Sequence, residues 1–258
     1  MQLEDPVDLS IALQFDGAQP NYFGVAEASS SPVSVGAFTG DTRTGASCNV
    51  ESLTMIPHCN GTHTECVGHV TDDRTSVLDC ATDALVPARL VTIDPVPADS
   101  TTESTEPSPV TGDRLITSIA LVDALDGASP ETALILRTLP NDASKLSKHY
   151  DVANPTPYFS VEAAHWLVNS GVRHLLVDIP SIDRLADGGL LTAHRIFWGL
   201  SAGSHRISDA TRKEATVTEM IYVADTVADG LYLLNLQIPA FQSDAVPSRP
   251  LLFRMIGQ

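Results

Sequence analysis

The sequence predicts a single α/β domain built on a mixed sheet, with more strand than helix. Three observations point there. Five short apolar runs, ARLVTID, TALILRT, RHLLVDIP, LYLLNLQIP and PLLFRM, are bounded by turn residues, as buried strands are. The clearest helix, SVEAAHWLVNSG, lies between the second run and the third, and strand, helix, strand in so few residues is a βαβ unit. With 258 residues, 43% of them hydrophobic, the chain can bury a substantial core.

Taken in order, the start MQLEDPVDLSIALQ is acidic and has no basic region leading to a small-residue cleavage site. It does not read as a signal peptide, and the expectation is a cytoplasmic protein. No charge-free apolar run approaches the roughly 20 residues that a membrane span requires. Four cysteines, Cys48, Cys59, Cys66 and Cys80, are too few for a disulfide framework in a chain this long and are expected as reduced thiols. The stretch PADSTTESTEPSPVTGD, Pro97 to Asp113, is too polar to pack. Core-like segments flank it on both sides, so it is expected as an exposed loop or short mobile insert within one domain spanning 1–258. In the helix, Ser160 is a natural N-cap, Glu162 suits the positive first turn and Gly171 supplies the stop. Ala163, Ala164, Leu167 and Val168 then share a buried face. The closely spaced runs toward each terminus are expected as hairpins.

Net charge is −17, from 32 acidic against 15 basic residues. Such a surface repels phosphate backbones and anionic lipid, which argues against nucleic acid and membrane as partners; an excess of this kind more often keeps a chain in solution than binds anything.

The stretch HCNGTHTECVGH, residues 58–69, packs three histidines, two cysteines and a glutamate into twelve residues. On an extended strand Cys59, His63, Glu65 and His69 share one face. Positions four apart are separated by about 13 Å, too far to share one ion, so the chain must bend between Cys59 and His63. Asn60-Gly61 is expected to make that bend, because both residues tolerate positive φ. A metal site and a polar turn of locally bonded histidines both fit the residues alone.

Cys59-Asn60-Gly61-Thr62-His63-Thr64-Glu65-Cys66-Val67-Gly68-His69 resembles the HxGTHxDxPxH signature of the cyclase-like metal hydrolases, which include bacterial kynurenine formamidase and isatin hydrolase. Asp8-Leu9-Ser10, Arg137-Thr138, Val177 through Asp183, Ala193-His194 and Pro247-Ser248-Arg249 follow in family order, so the resemblance spans essentially the whole chain. It implies a swivelling β/α/β fold and a homo-oligomer, dimer or tetramer. It also implies a divalent-metal site held by Cys59, His63, Glu65, His194 and Glu219. Glu219 lies beyond a longer connection than the family pattern suggests, with His205 and Glu214 as fallbacks. His69 takes the place of the family's general acid/base, a role that an imidazole titrating near pH ~6.5 can fill.

Three positions depart from the signature: Cys59 for His, Glu65 for Asp and Val67 for Pro. Glutamate carries its carboxylate one methylene further. Thiolate is soft and favours zinc, one or two ions per chain, with manganese the second choice. A thiolate with two glutamates carries a formal −3, which one divalent ion would not neutralise. A register shifted by one residue, with His58 as the first ligand, is the competing arrangement. The implied activity is hydrolysis of a carbon–nitrogen bond in a small amide, formamide or lactam. Ser181, Tyr22, Phe23, Phe197 and Trp198 are candidate substrate contacts. A catalytically silent relative that binds metal or a small ligand, and a metal-assisted cyclase or lyase, are the alternatives.

Overall fold

Ala133-Leu134-Ile135-Leu136 is apolar at every position because its strand is covered on both faces. Leu134 and Leu136 point into a layer of helices, while Ala133 and Ile135 point into a second core on the sheet's other side. The structure, a computed structural model, describes residues 5–254. Residues 1–4, at the acidic start, and 255–258, which include Met255 of the last predicted strand, lie outside the described residues.

Nine strands form the main sheet: β1 (Val7–Asp8), β2 (His63–Cys66), β3 (Val86–Ile93), β4 (Ala133–Thr138), β5 (His174–Val177), β6 (Thr216–Glu219), β7 (Gly230–Gln237), β8 (Ala245–Pro247) and β9 (Arg249–Arg254). Their order is β1-β9-β7-β3-β4-β5-β6-β2-β8. The central strands β3, β4, β5 and β6 run parallel, and the flanking pairs are antiparallel. All five predicted apolar runs are strands of this curled mixed sheet. The predicted helix is Val161–Asn169, with the Ser160 hydroxyl accepting from Ala163 N and Gly171 at φ 77° just past its end. It connects β4 to β5, its parallel neighbour. No helix among the described residues is long and apolar enough to cross a membrane.

Several residues in family order brace the sheet. Arg249 Nε donates to Asp8 at 2.8 Å, tying the first strand to the last. Arg137 donates to Thr92, Asp229 and the carbonyls of Ala224 and Val227. Asp178 accepts from Thr138 N and Oγ1 and from Lys145 Nζ.

The Pro97–Asp113 insert is mostly exposed and is closed at its base by the pairing of Val96–Pro97 with Arg114–Ile116. It reaches the helix layer through Glu103. Glu103 accepts from Ser118 N at 2.9 Å and Ile119 N at 3.3 Å, the first turn of helix Ser118–Leu125, where a carboxylate meets the positive helix end. The N-terminal hairpins are Ser29–Pro32 with Glu51–Thr54 and Ser34–Val35 with Phe38–Thr39.

The functional end is set by topology. The parallel strands β5 and β6 end at the same edge, and β2 runs back against β6, so that His63 lies opposite Glu219. The carboxyl ends of parallel strands are where open α/β sheets place ligands.

Candidate metal centre

The bend before β2 is not the expected left-handed Asn-Gly turn. Pro57–Asn60 forms a single helical turn, and Gly61 is extended at φ 160°. Asn60 closes the turn with its side chain: Oδ1 accepts from Ile56 N at 2.6 Å, and Nδ2 donates to Ala26 O at 3.1 Å. A side-chain clamp thus replaces positive φ. Thr62 then fixes the entry to β2, accepting from Ile11 N and donating to Met220 O.

Alternation along β2 sorts its residues. His63 and Glu65 face the centre, whereas Thr64 meets Thr218 and Cys66 packs with Val77, Cys80 and Val246. Past the strand, Gly68 lets the backbone return to His69, since a Cβ there would stand 2.1 Å from Thr75 O.

Four of the five expected ligands converge. His194 Nε2 lies 2.8 Å from Glu65 Oε1 and 3.5 Å from Glu219 Oε1, and His63 Nε2 lies 3.5 Å from Glu219 Oε2. All four residues are buried. His205 and Glu214 are exposed, and Glu219, buried at the end of β6, is the carboxylate that reaches the centre.

Outer partners aim the imidazoles. His63 Nδ1 meets Gly61 O at 3.0 Å, and His194 Nδ1 meets Asp183 Oδ2 at 2.7 Å, so each Nε2 faces inward. The Asp183 carboxylate also accepts from Ala193 N and His194 N, capping the helix Thr192–Trp198 that carries His194. Glu219 accepts from Ile182 N at 2.9 Å.

Three central atoms, His63 Nε2, Glu65 Oε1 and His194 Nε2, are buried without a hydrogen-bond partner. His194 Nε2 and Glu65 Oε1 stand 2.8 Å apart as an ion-pair contact. Each orphaned polar atom costs about 1–3 kcal/mol, so neighbouring orphans call for a shared partner. A divalent cation would supply one: bonds of about 2.0–2.2 Å in tetrahedral geometry space ligand atoms roughly 3.3–3.6 Å apart, which the two 3.5 Å approaches match and the 2.8 Å His194–Glu65 and 3.9 Å His63–Glu65 approaches bracket. Electrostatics agree. Burial alone would lower His194 and raise Glu65, but His194 is pushed well above the ordinary imidazole value by Glu65, Asp183 and Glu219. Glu65 is held well below the ordinary carboxylate value by His69 and His194.

Cys59 stands in the wall of the site. Among the described residues, ligand atoms within 4.8 Å of one another form two groups, His63-Glu65-Glu219 and His58-Glu65-His69; neither includes Cys59 or His194, but His194 makes the direct approaches to Glu65 and Glu219 given above. Cys59 packs with Tyr22 and Tyr150, and its thiol is pushed up to about 11 by burial and by the charges of Glu219 and Glu65. His58 Nδ1 instead meets Glu65 Oε2 at 2.8 Å, and His58 Nε2 meets Asp244 Oδ2 at 2.9 Å. Burial opposes protonation of His58, yet those two carboxylates raise it to about 10. His69 is half-buried beside it, the ring centroids 4.3 Å apart and Nδ1 3.7 Å from Asp244 Oδ2.

Tyr22, Phe23, Cys59, Ser181, His69 and Arg184 are among the walls of a cavity of about 70 Å³ over the centre. Phe23 is 57% exposed at φ 64°, a left-handed conformation uncommon for a bulky residue. Phe197 and Trp198 do not serve as the expected substrate contacts. Both are 0% exposed and belong to the helix-side core, and Trp198 supports the rings of His194 and His69. A larger hollow near Arg173, Arg212 and Glu214 lies apart from the converging ligands.

Sequence reasoning assigns no role to Asp183 or Asp244. Asp183 belongs to the recurring DIPSID stretch, which is its only signal. Asp244 has none, standing 186 residues from the histidine it holds.

A curled mixed sheet that gathers imidazoles and carboxylates at its strand ends defines an α/β protein whose clustered side chains suggest a divalent-metal site. The chain belongs to the cyclase family: the family model described as "Putative cyclase" matches residues 7–184. It is 29% identical over 208 residues to a kynurenine formamidase of Bacillus cereus, covering 80% of each chain. Its fold is similar to that of isatin hydrolase A from Labrenzia aggregata, with a TM-score of 0.60, 15% identity and 96% and 93% of the two chains covered. A "predicted metal-dependent hydrolase" from Bacillus stearothermophilus matches with a TM-score of 0.61 and 16% identity over 98% and 99% of the chains.

Proposed function

We propose that this chain is a metal-dependent hydrolase that cleaves a carbon–nitrogen bond in a small amide, formamide or lactam. The observation that carries the reading is the convergence of His63, Glu65, His194 and Glu219 around three orphaned polar atoms. The names of the kynurenine formamidase and isatin hydrolase relatives support the substrate class. Those four residues would hold the ion, with zinc the first choice for such nitrogen and oxygen donors and manganese the second. Once bound, a divalent ion supplies Lewis acidity, polarising a carbonyl and lowering the pKa of water toward ~7.

The other groups position and move protons. His69 turns Nδ1 toward Asp244, which leaves Nε2 to deliver a proton to the departing nitrogen. The cavity of about 70 Å³ admits the scissile group, while the remainder of an aryl substrate rests at the mouth against Phe23, with Tyr22 behind it. Ser181 lines the wall and orients the substrate or water. Assembly as a homo-oligomer is part of the same proposal.

Metal-loaded protein is expected to hydrolyse at least one of an N-formyl anilide, an isatin-type lactam and a simple cyclic amide, in a steady-state assay with product mass recorded. Stoichiometric metal with no turnover of any of these would favour a catalytically silent relative. The observation behind that second reading is Cys59 and Glu65 standing where the family signature has His and Asp. Cys59→His with Glu65→Asp would then restore hydrolysis.

A further inference from the structure

Three imidazoles at this centre share one pattern. His194 is held at Nδ1 by Asp183, and His63 at Nδ1 by the Gly61 carbonyl, each turning Nε2 inward. His58 repeats the pattern with its nitrogens exchanged: the outer Nε2 is held by Asp244 at 2.9 Å, and the inner Nδ1 faces Glu65 Oε2 at 2.8 Å. An outer carboxylate or carbonyl on one ring nitrogen, with the other nitrogen aimed at the ion, is the usual dress of a metal-binding histidine.

We infer that His58 is the third imidazole ligand of the centre, replacing the imidazole that the chain lacks at position 59, and that Asp244 is the outer carboxylate that orients it. The inference rests on the metal-site reading above and deepens it. The helical turn Pro57–Asn60 makes the exchange possible. Consecutive residues of a helix project about 100° apart, so moving the ligand one residue upstream turns Cys59 off the ion and into the wall beside Tyr22 and Tyr150. Asn60 locks the turn in that orientation. Glu65 Oε2 then faces His58 while Oε1 faces His194, so the longer carboxylate reaches both sides of the centre. The exchange also changes the charge balance. A neutral imidazole in place of a thiolate leaves Glu65 and Glu219 as the acidic ligands, and one divalent ion neutralises them.

The test uses the full-length protein stripped of metal and titrated with cobalt(II), read by absorption. A thiolate ligand would give a near-ultraviolet sulfur-to-cobalt charge-transfer band. The inference expects stoichiometric cobalt binding with visible ligand-field bands and no sulfur band in the unaltered protein. His58→Ala and His58→Gln should each weaken cobalt binding by at least ~10-fold, and Asp244→Asn by ~10–100-fold. Cys59→Ser should leave the cobalt spectrum and affinity unchanged. A sulfur band that disappears in Cys59→Ser overturns the assignment while keeping the metal centre. Cobalt affinity unchanged in both His58 variants does the same. An unaltered protein that binds no cobalt overturns the metal reading itself.

Discussion

His174 and His194 are both buried histidines beside carboxylates, and they end in opposite states. His174, at the start of β5, has both ring nitrogens engaged: Nδ1 with Thr216 Oγ1 at 2.8 Å and Nε2 with Asp83 Oδ2 at 3.4 Å. Burial lowers its pKa, Arg173 adds to that, and Asp83 only partly opposes. His194 is equally buried, yet the carboxylates around it outweigh burial and raise its pKa. Its Nε2 faces two acids and makes no hydrogen bond. Burial therefore does not mark a candidate ligand. What marks it is a nitrogen that faces the carboxylates of the centre while a group outside the centre fixes the other; His194 meets this, and so does His58 with its nitrogens exchanged. His174 turns neither nitrogen to those carboxylates and reads as a satisfied strut between β5 and β6.

The sharpest way to break this contrast is to remove the group that fixes His194. Asp183→Asn replaces an acceptor with an amide that can present its own N–H to Nδ1, which favours the tautomer with its proton on the inner nitrogen. Metal affinity should fall by ~10–100-fold, read by competition with a chelating dye. The corresponding change at the strut, His174→Gln, should leave metal content alone and destabilise the fold by about 1–3 kcal/mol in urea titration, because Thr216 loses a buried partner. It should also flatten the acid limb of stability, a smaller effect. A histidine whose folded pKa lies below its unfolded value of ~6.5 contributes stability that is complete above that value and lost as pH falls through the folded pKa. Between unaltered protein and His174→Gln, the stability difference should shrink as pH drops below ~6.5.

The same contrast explains what could be read from the chain. Strand runs such as TALILRT and the capped helix at 161–169 were legible because periodicity and capping are local. The spacing of His63 and Glu65 was legible for the same reason, since alternate residues on a strand share a face. The Asn60-Gly61 bend differs from what its residues suggest: the dipeptide favours positive φ, but the Asn60 side chain closes a helical turn instead. Phe197 and Trp198 face the core, which the chain does not reveal, because a helix beside a site shows the same aromatic residues whether they face the cavity or the core. Asp244 was invisible, since nothing local couples a residue before β8 to a histidine before β2. Only the sheet, by placing β2 between β6 and β8, brings them together.

The most direct measurement is elemental analysis of protein purified without chelator or immobilised nickel. One or two zinc or manganese ions per chain, reduced in proportion when His194 is replaced by alanine, is the result this arrangement of ligands predicts. Folded protein that holds no divalent ion, even after incubation with zinc or manganese, would contradict it.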